Sequence, residues 1–178
     1  MRKAYSASGV YGLAMHVDKR TLAVEGLRVD TIAEVLEICE YRDDYKCLER
    51  WKPPNLKEVY PTGGTIEDAF SHTLVGDVKL SQYDYSVSER GFTLPLSTLE
   101  ELAQGRTDGS VLTYSQWYDI TLAVNCSAKF RRFMWTRNHY MGLAPAAAKV
   151  GDSVCILFGS SVPHVLRRRD EMSYEYVG

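Results

Sequence analysis

Beyond Lys129 the chain changes character, and this change limits the possible fold more than any other feature. Residues 130–141 alternate apolar and polar side chains in part, with Phe133 and Trp135 on one side. Residues 154–159 form a short apolar run, 162–167 and 174–177 are β-like, and Gly151-Asp152 and Gly159-Ser160-Ser161 stand between them as turns. Successive strand side chains point to opposite faces, so short runs parted by glycine turns predict a small twisted sheet or partial barrel. Residues 154–158 read as a central strand, apolar on both faces. Pro163 has no N–H to give a ladder, which limits the next strand to an edge or to starting there. Gly142 and Pro145 bracket a predicted turn, and Ala146-Ala147-Ala148 a helical turn after it. Gly151 then permits positive φ and Asp152 caps backbone donors.

The earlier part reads mostly as helix. Residues 21–29 predict a strand bent at Gly26. Asp30 then caps a predicted helix, with Ile32, Val35, Leu36 and Cys39 at helical spacing and Glu34 three residues after Thr31. A second helix ends at Trp51, where Pro53-Pro54 stops it. Thr65 opens a third, with Ile66, Ala69, Phe70 and Leu74 on its apolar face. Residues 76–96 are polar and tyrosine-rich without a period and predict a surface loop. A short helix over 97–103 precedes a turn at 105–109, and residues 114–129 carry Trp117, Ile120, Thr121 and Val124 on one helical face. The fold class expected is α+β: amphipathic helices packed on a small antiparallel, partly barrel-like C-terminal sheet. The whole of 1–178 is expected to be one domain, with a helix-rich lobe over about 1–129 and a β-rich lobe over about 130–178.

Composition narrows the function classes. A chain of 178 residues can bury a core without a staple. A net charge of −2 and a pI near 6.1 argue against nucleic acid, whose phosphates call for clustered Lys and Arg. The basic clusters Arg131-Arg132 and Arg167-Arg168-Arg169 read as solvated strand ends balanced by Asp170, Glu171 and Glu175. No apolar run is long enough to span a bilayer, so no membrane partner is expected. The start lacks the apolar stretch of a signal peptide, and no two of the four cysteines have C-x-x-C spacing. These features predict a cytoplasmic protein with reduced thiols, Cys155 buried, and no zinc site. No P-loop, dinucleotide fingerprint, G-x-S-x-G or H-E-x-x-H occurs, so no cofactor is expected.

Candidate site residues gather near the tail. His139 sits beside Arg137, Asn138 and Tyr140; its plain reading is an exposed hairpin-tip residue, and in a pocket it would be a general acid or base. His164 follows Pro163; its plain reading is a half-buried ring satisfied by Asp152 or a tyrosine, and in a cleft it would be a second acid–base candidate. Trp135, Tyr140, Trp117 and Tyr118, with Arg137, would line an apolar ligand cavity; at their spacing the same aromatics also suit plain core.

Several tail motifs occur in order: Arg131-Arg132-Phe133, Thr136, Tyr140-Met141-Gly142-Leu143-Ala144-Pro145, Gly151-Asp152, then Val154-Cys155-Ile156-Leu157-Phe158-Gly159. Pro163, Val165-Leu166-Arg167 and the closing Tyr174-Glu175-Tyr176-Val177-Gly178 complete the series. Upstream stand Leu22-Ala23-Val24-Glu25-Gly26 and Ala69-Phe70-Ser71-His72-Thr73-Leu74. The pattern resembles the C-terminal region of fungal heterokaryon-incompatibility (HET) proteins, without their N-terminal HET domain. His139 stands where relatives usually have Gly and His164 where they usually have Phe. The resemblance implies an accessory protein-interaction or regulatory module with a protein partner, and a homodimer fits the same role. The alternative is a cofactor-free binder of a small apolar ligand, or an enzyme of fungal specialised metabolism, using the aromatic residues and a histidine.

Overall fold

A computed structural model describes residues 15–18, 21–40, 45–80, 87–90, 94–103 and 113–178. Strands β1 (Met15–Asp18) and β2 (Thr21–Val24) pair as a hairpin, and after Glu25 the chain enters β3 (Gly26–Ile38), thirteen residues long. Gly26 leaves no room for a side chain, since a Cβ there would lie 2.7 Å from the Ile156 carbonyl oxygen.

The helix expected after Asp30, fading near Arg42-Asp43-Asp44, is instead a strand as far as Ile38, and its expected end lies outside the described residues. Register shifts between Arg28 and Asp30, Ile32 and Glu34, and Val35 and Ile38 interrupt its pairing. Each irregularity offsets the two-residue alternation. Ile32 and Val35 consequently pack on one face of the sheet, and Leu36 and Cys39 on the other. Residues at helical spacing are thus shared between two cores. Asp30 caps no helix; its carboxylate accepts from the Thr31 N–H at 2.7 Å and the Asn138 N–H at 3.0 Å.

The helices follow the sequence more closely. α1 (Lys46–Trp51) ends before the prolines. α2 (Ile66–Val75) starts at Thr65, whose hydroxyl accepts from the Asp68 N–H while the Asp68 carboxylate returns the favour to the Thr65 N–H. Within the expected loop over 76–96 lie two paired strands, β4 (Val78–Leu80) and β5 (Val87–Arg90); the rest of their connection falls outside the described residues, as does the turn at 105–109. α3 (Leu96–Ala103) and α4 (Tyr114–Ala128) follow, the latter opened by a capping box between Thr113 and Gln116.

The remaining strands are β6 (Arg131–Thr136), β7 (Met141–Pro145), β8 (Ser153–Leu157), β9 (His164–Arg168) and β10 (Tyr174–Tyr176). Gly142 to Pro145 therefore lie within β7 and do not turn; the turn comes one step later, closed by the Ala148 N–H donating to the Pro145 carbonyl. Together with β3 these strands make a six-stranded antiparallel sheet in the order β10-β9-β8-β3-β6-β7. β3 serves both halves of the sheet, pairing β8 along its beginning and β6 along its end. The bulges bend it, and the sheet curls into a half-barrel.

Two cores flank the sheet. Phe133 is fully buried and meets Trp51, Phe70 and Trp135 at ring-centroid distances of 5.8, 5.3 and 6.0 Å, joining α1 and α2 to β6. Leu74, Leu102, Ala123 and Val124 fill the same core from the helices. On the opposite face Ile32, Met134, Ala144, Val154 and Val165 meet inside the curl. Residues from β7 and β9, far apart in strand order, touch one cluster, as a curled sheet requires. A Cβ on Gly178 would overlap the Pro145 ring, so the chain end nearly closes the seam against β7.

Cys39 and Cys47 form a disulfide, with Cα atoms 5.4 Å apart. This corrects the expectation of reduced thiols at that pair. The return of α1 to the end of β3 brings them together, which their spacing in the chain does not reveal. Cys155 is buried, as expected. No helix among the described residues is long and apolar enough to cross a membrane.

Candidate functional site

Along the outer edge of β7 runs an open cleft of about 810 Å³. Its floor is the inside of the curl, through Met134, Val154 and Val165; Val162 and Pro163 form the opposite wall. The hydrogen-bonding pattern shows what β7 offers to it. The Thr136 N–H donates to the Tyr140 carbonyl, while the Met141 N–H turns away from β6 to the Tyr60 hydroxyl at 2.9 Å. Antiparallel ladders alternate residue by residue, so Gly142 and Ala144 bond to β6 and Leu143 directs its N–H and C=O outward. β7 is the last strand of its sheet.

Phe130 stands on the rim. It is 63 % exposed and has φ 59°, in the left-handed region. For a bulky non-glycine residue this conformation costs about 1–2 kcal/mol. The surroundings impose it: the Phe130 N–H donates to the Cys39 carbonyl, and the Cys39 N–H to the Arg131 carbonyl, each at 2.9 Å.

At the far end, Asp30 ties β3 to the tip of the β6–β7 hairpin. Burial raises its pKa, but hydrogen bonds from Thr136, the Thr31 N–H and the Asn138 N–H, with the nearby Arg137 charge, outweigh it and hold the carboxyl below its ordinary value. Asp152 is 2 % exposed and receives Arg167 through two bonds of 2.9 Å, while Arg167 also donates to the Ala147 carbonyl. That pair fastens β9 to the loop after β7.

His164 opens onto the same cleft. Its Nε2 lies 2.6 Å from the Ser160 Oγ and its Nδ1 3.3 Å from the Tyr176 hydroxyl. Its partner is thus a tyrosine, Asp152 being held by Arg167. Burial lowers the His164 pKa below its ordinary value.

A second cleft, of about 850 Å³, lies between the loop after α1 and the tip of the β6–β7 hairpin. Trp135 and Tyr60 supply aromatic walls, and Arg137 and His139 reach it from the tip. His139 is exposed at positive φ (62°), in keeping with a hairpin-tip residue. Burial raises the Tyr60 pKa, against the Met141 N–H donor that lowers it.

The residues singled out in the sequence therefore divide between places. His164 and Tyr140 border the β7 cleft, while Trp135, Arg137 and His139 border the second. Trp117 packs against the helix–sheet core, and Tyr118 lies at the surface of α4; neither borders either cleft. Sequence reasoning missed Phe130, Ser160, Tyr176 and Tyr60. Ser160 lies four residues before His164 in the turn leading into β9, a spacing that could have signalled it, whereas Tyr176 meets His164 through the β9–β10 pairing and Tyr60 reaches Met141 across 81 residues of chain.

Compared with known proteins, residues 101–178 match the family model of the Het-6 beta-barrel domain. No curated protein and no solved structure matches the chain.

Proposed function

We propose that this chain, whose residues 101–178 match the model of the Het-6 beta-barrel domain, serves as an accessory module of heterokaryon-incompatibility type that binds a partner protein along the β7 cleft. The bound element is an extended segment with alternating apolar side chains. It adds to β7 through the outward N–H and C=O of Leu143, its apolar side chains meeting the curl on one side and Phe130 on the other. The single observation that carries this reading is Phe130: an aromatic ring kept in water, in a conformation that costs stability, at the rim of an open apolar cleft. Strained positions persist where function retains them. Cytoplasmic work belongs to the same proposal, and docking to β7 does not call on the Cys39–Cys47 bond.

The test is selection of extended peptides from a displayed random library against the purified chain. Binders with alternating apolar residues are expected. Their affinity falls at least tenfold in Val162→Glu and Phe130→Gly, while circular dichroism of both variants stays unchanged. Binders indifferent to both substitutions would overturn the proposal. A second copy of the chain is the competing occupant, and sedimentation would show it as a concentration-dependent dimer that Val162→Glu dissolves.

The second cleft favours a further reading, a small planar ligand held between Trp135 and Tyr60 with Arg137 beside it. Quenching of tryptophan fluorescence by an aromatic carboxylate, lost in Arg137→Ala, is the result expected of it; no saturable quenching removes it.

A further inference from the structure

Ser160 follows Gly159 (φ 88°) in the turn that leaves β8, and its Oγ faces His164 Nε2 at the start of β9. Tyr176 on β10 stands at the other ring nitrogen, with ring centroids 5.6 Å apart. From this geometry we propose that Ser160 is an acyl-accepting nucleophile, with His164 as its general base and Tyr176 as a positioning residue, acting on carboxylic esters with a short apolar acyl group.

The arrangement fixes the proton positions. For Nε2 to accept the Ser160 proton, Nδ1 must carry its own hydrogen, and the Tyr176 oxygen is the acceptor within reach. The Val162 N–H donates to the Ser160 Oγ at 3.3 Å and so favours negative charge there. The Val162 carbonyl, 3.1 Å away, competes for the Ser160 proton, but His164 is nearer at 2.6 Å. Burial lowers the His164 pKa, so the ring is neutral near pH 7 and free to accept a proton. Cys155 pairs with His164 across the β8–β9 ladder, and Arg28 pairs with Cys155 from β3. Burial raises the Cys155 pKa, more than the Arg28 charge lowers it, so that group stays a thiol and does not compete as nucleophile.

In the first step Ser160 Oγ bonds to the ester carbonyl carbon while its proton passes to His164 Nε2. The bond from carbon to the alkoxy oxygen then breaks, and His164 returns the proton to the departing oxygen, releasing an alcohol. Water attacks the acyl-serine, giving one proton to His164; the carboxylic acid departs and Ser160 Oγ recovers its hydrogen. Val162 and Pro163, on the wall beside His164, would face the acyl chain.

This inference is independent of partner docking, and its test reads a covalent adduct rather than peptide affinity. The full chain is incubated with an alkyl fluorophosphonate, and the labelled peptide is found by mass spectrometry; p-nitrophenyl acetate hydrolysis is followed in parallel. The expected results are an adduct on Ser160, at least tenfold slower labelling in His164→Phe, and hydrolysis that rises with pH as His164 loses its proton. Tyr176→Phe is expected to lower kcat with KM unchanged. Absence of an adduct on Ser160 in the folded wild-type chain overturns the proposal, and so does labelling that is as fast in His164→Phe.

Discussion

At the level of single residues, the charged and strained groups make separable predictions. Asp30 has a depressed pKa in the folded chain. Its contribution to stability is therefore complete above the ordinary aspartate value of about 3.9 and is lost as pH falls through the lower folded value. Asp30→Asn should show a shallower acid limb when melting temperature is followed against pH. His164 is depressed as well, but from about 6.5, so its contribution is complete above that value and fades as the solution is acidified toward the folded pKa. His164→Phe should remove that part of the pH dependence. Phe130→Gly should stabilise the chain by about 1 kcal/mol, since glycine enters the left-handed region without a steric penalty; urea denaturation would measure it. Both histidines drew notice in the sequence because imidazole titrates near neutrality. Phe130 did not, because nothing in its neighbours along the chain announces a positive φ; the constraint comes from Cys39, across the sheet.

At the level of elements, legibility followed the range of the interactions that define each one. α2 and α4 are local: Thr65 with Asp68 and Thr113 with Gln116 cap them within one turn, and their starts could be read off. β3 is not local. Its apolar residues fall at helical spacing because bulges displace the strand alternation, and only pairing with β6 and β8 makes it extended. β7 was read as a turn because Gly142 and Pro145 suggest one, yet Gly142 has a packing reason to be there, since a Cβ would lie 3.0 Å from Met134 Cε. Phe133 is the element-scale test. It joins two helices to β6, and Phe133→Ala should cost about 3–5 kcal/mol in chemical denaturation. Deleting Ala33, inside one of the register shifts, should be worse than replacing it with Gly, because a one-residue slip sends the following side chains to the wrong face.

At the level of the molecule, the curled sheet places an apolar interior between helices on one face and an incompletely closed seam on the other. The α+β class and the partly barrel-like tail were visible in the short runs beyond Lys129, but the seam was not, because it depends on how far β3 bends and on where Gly178 meets Pro145. If an extended partner completes the sheet, the backbone of β7 is where it must do so. Amide hydrogen exchange followed by NMR addresses this directly. In the free chain the Leu143 amide should exchange much faster than those of Gly142 and Ala144, and a bound extended peptide should slow it at least tenfold. Equal protection of all three amides in the free chain, or a Leu143 amide unmoved by a peptide that binds, would contradict the account.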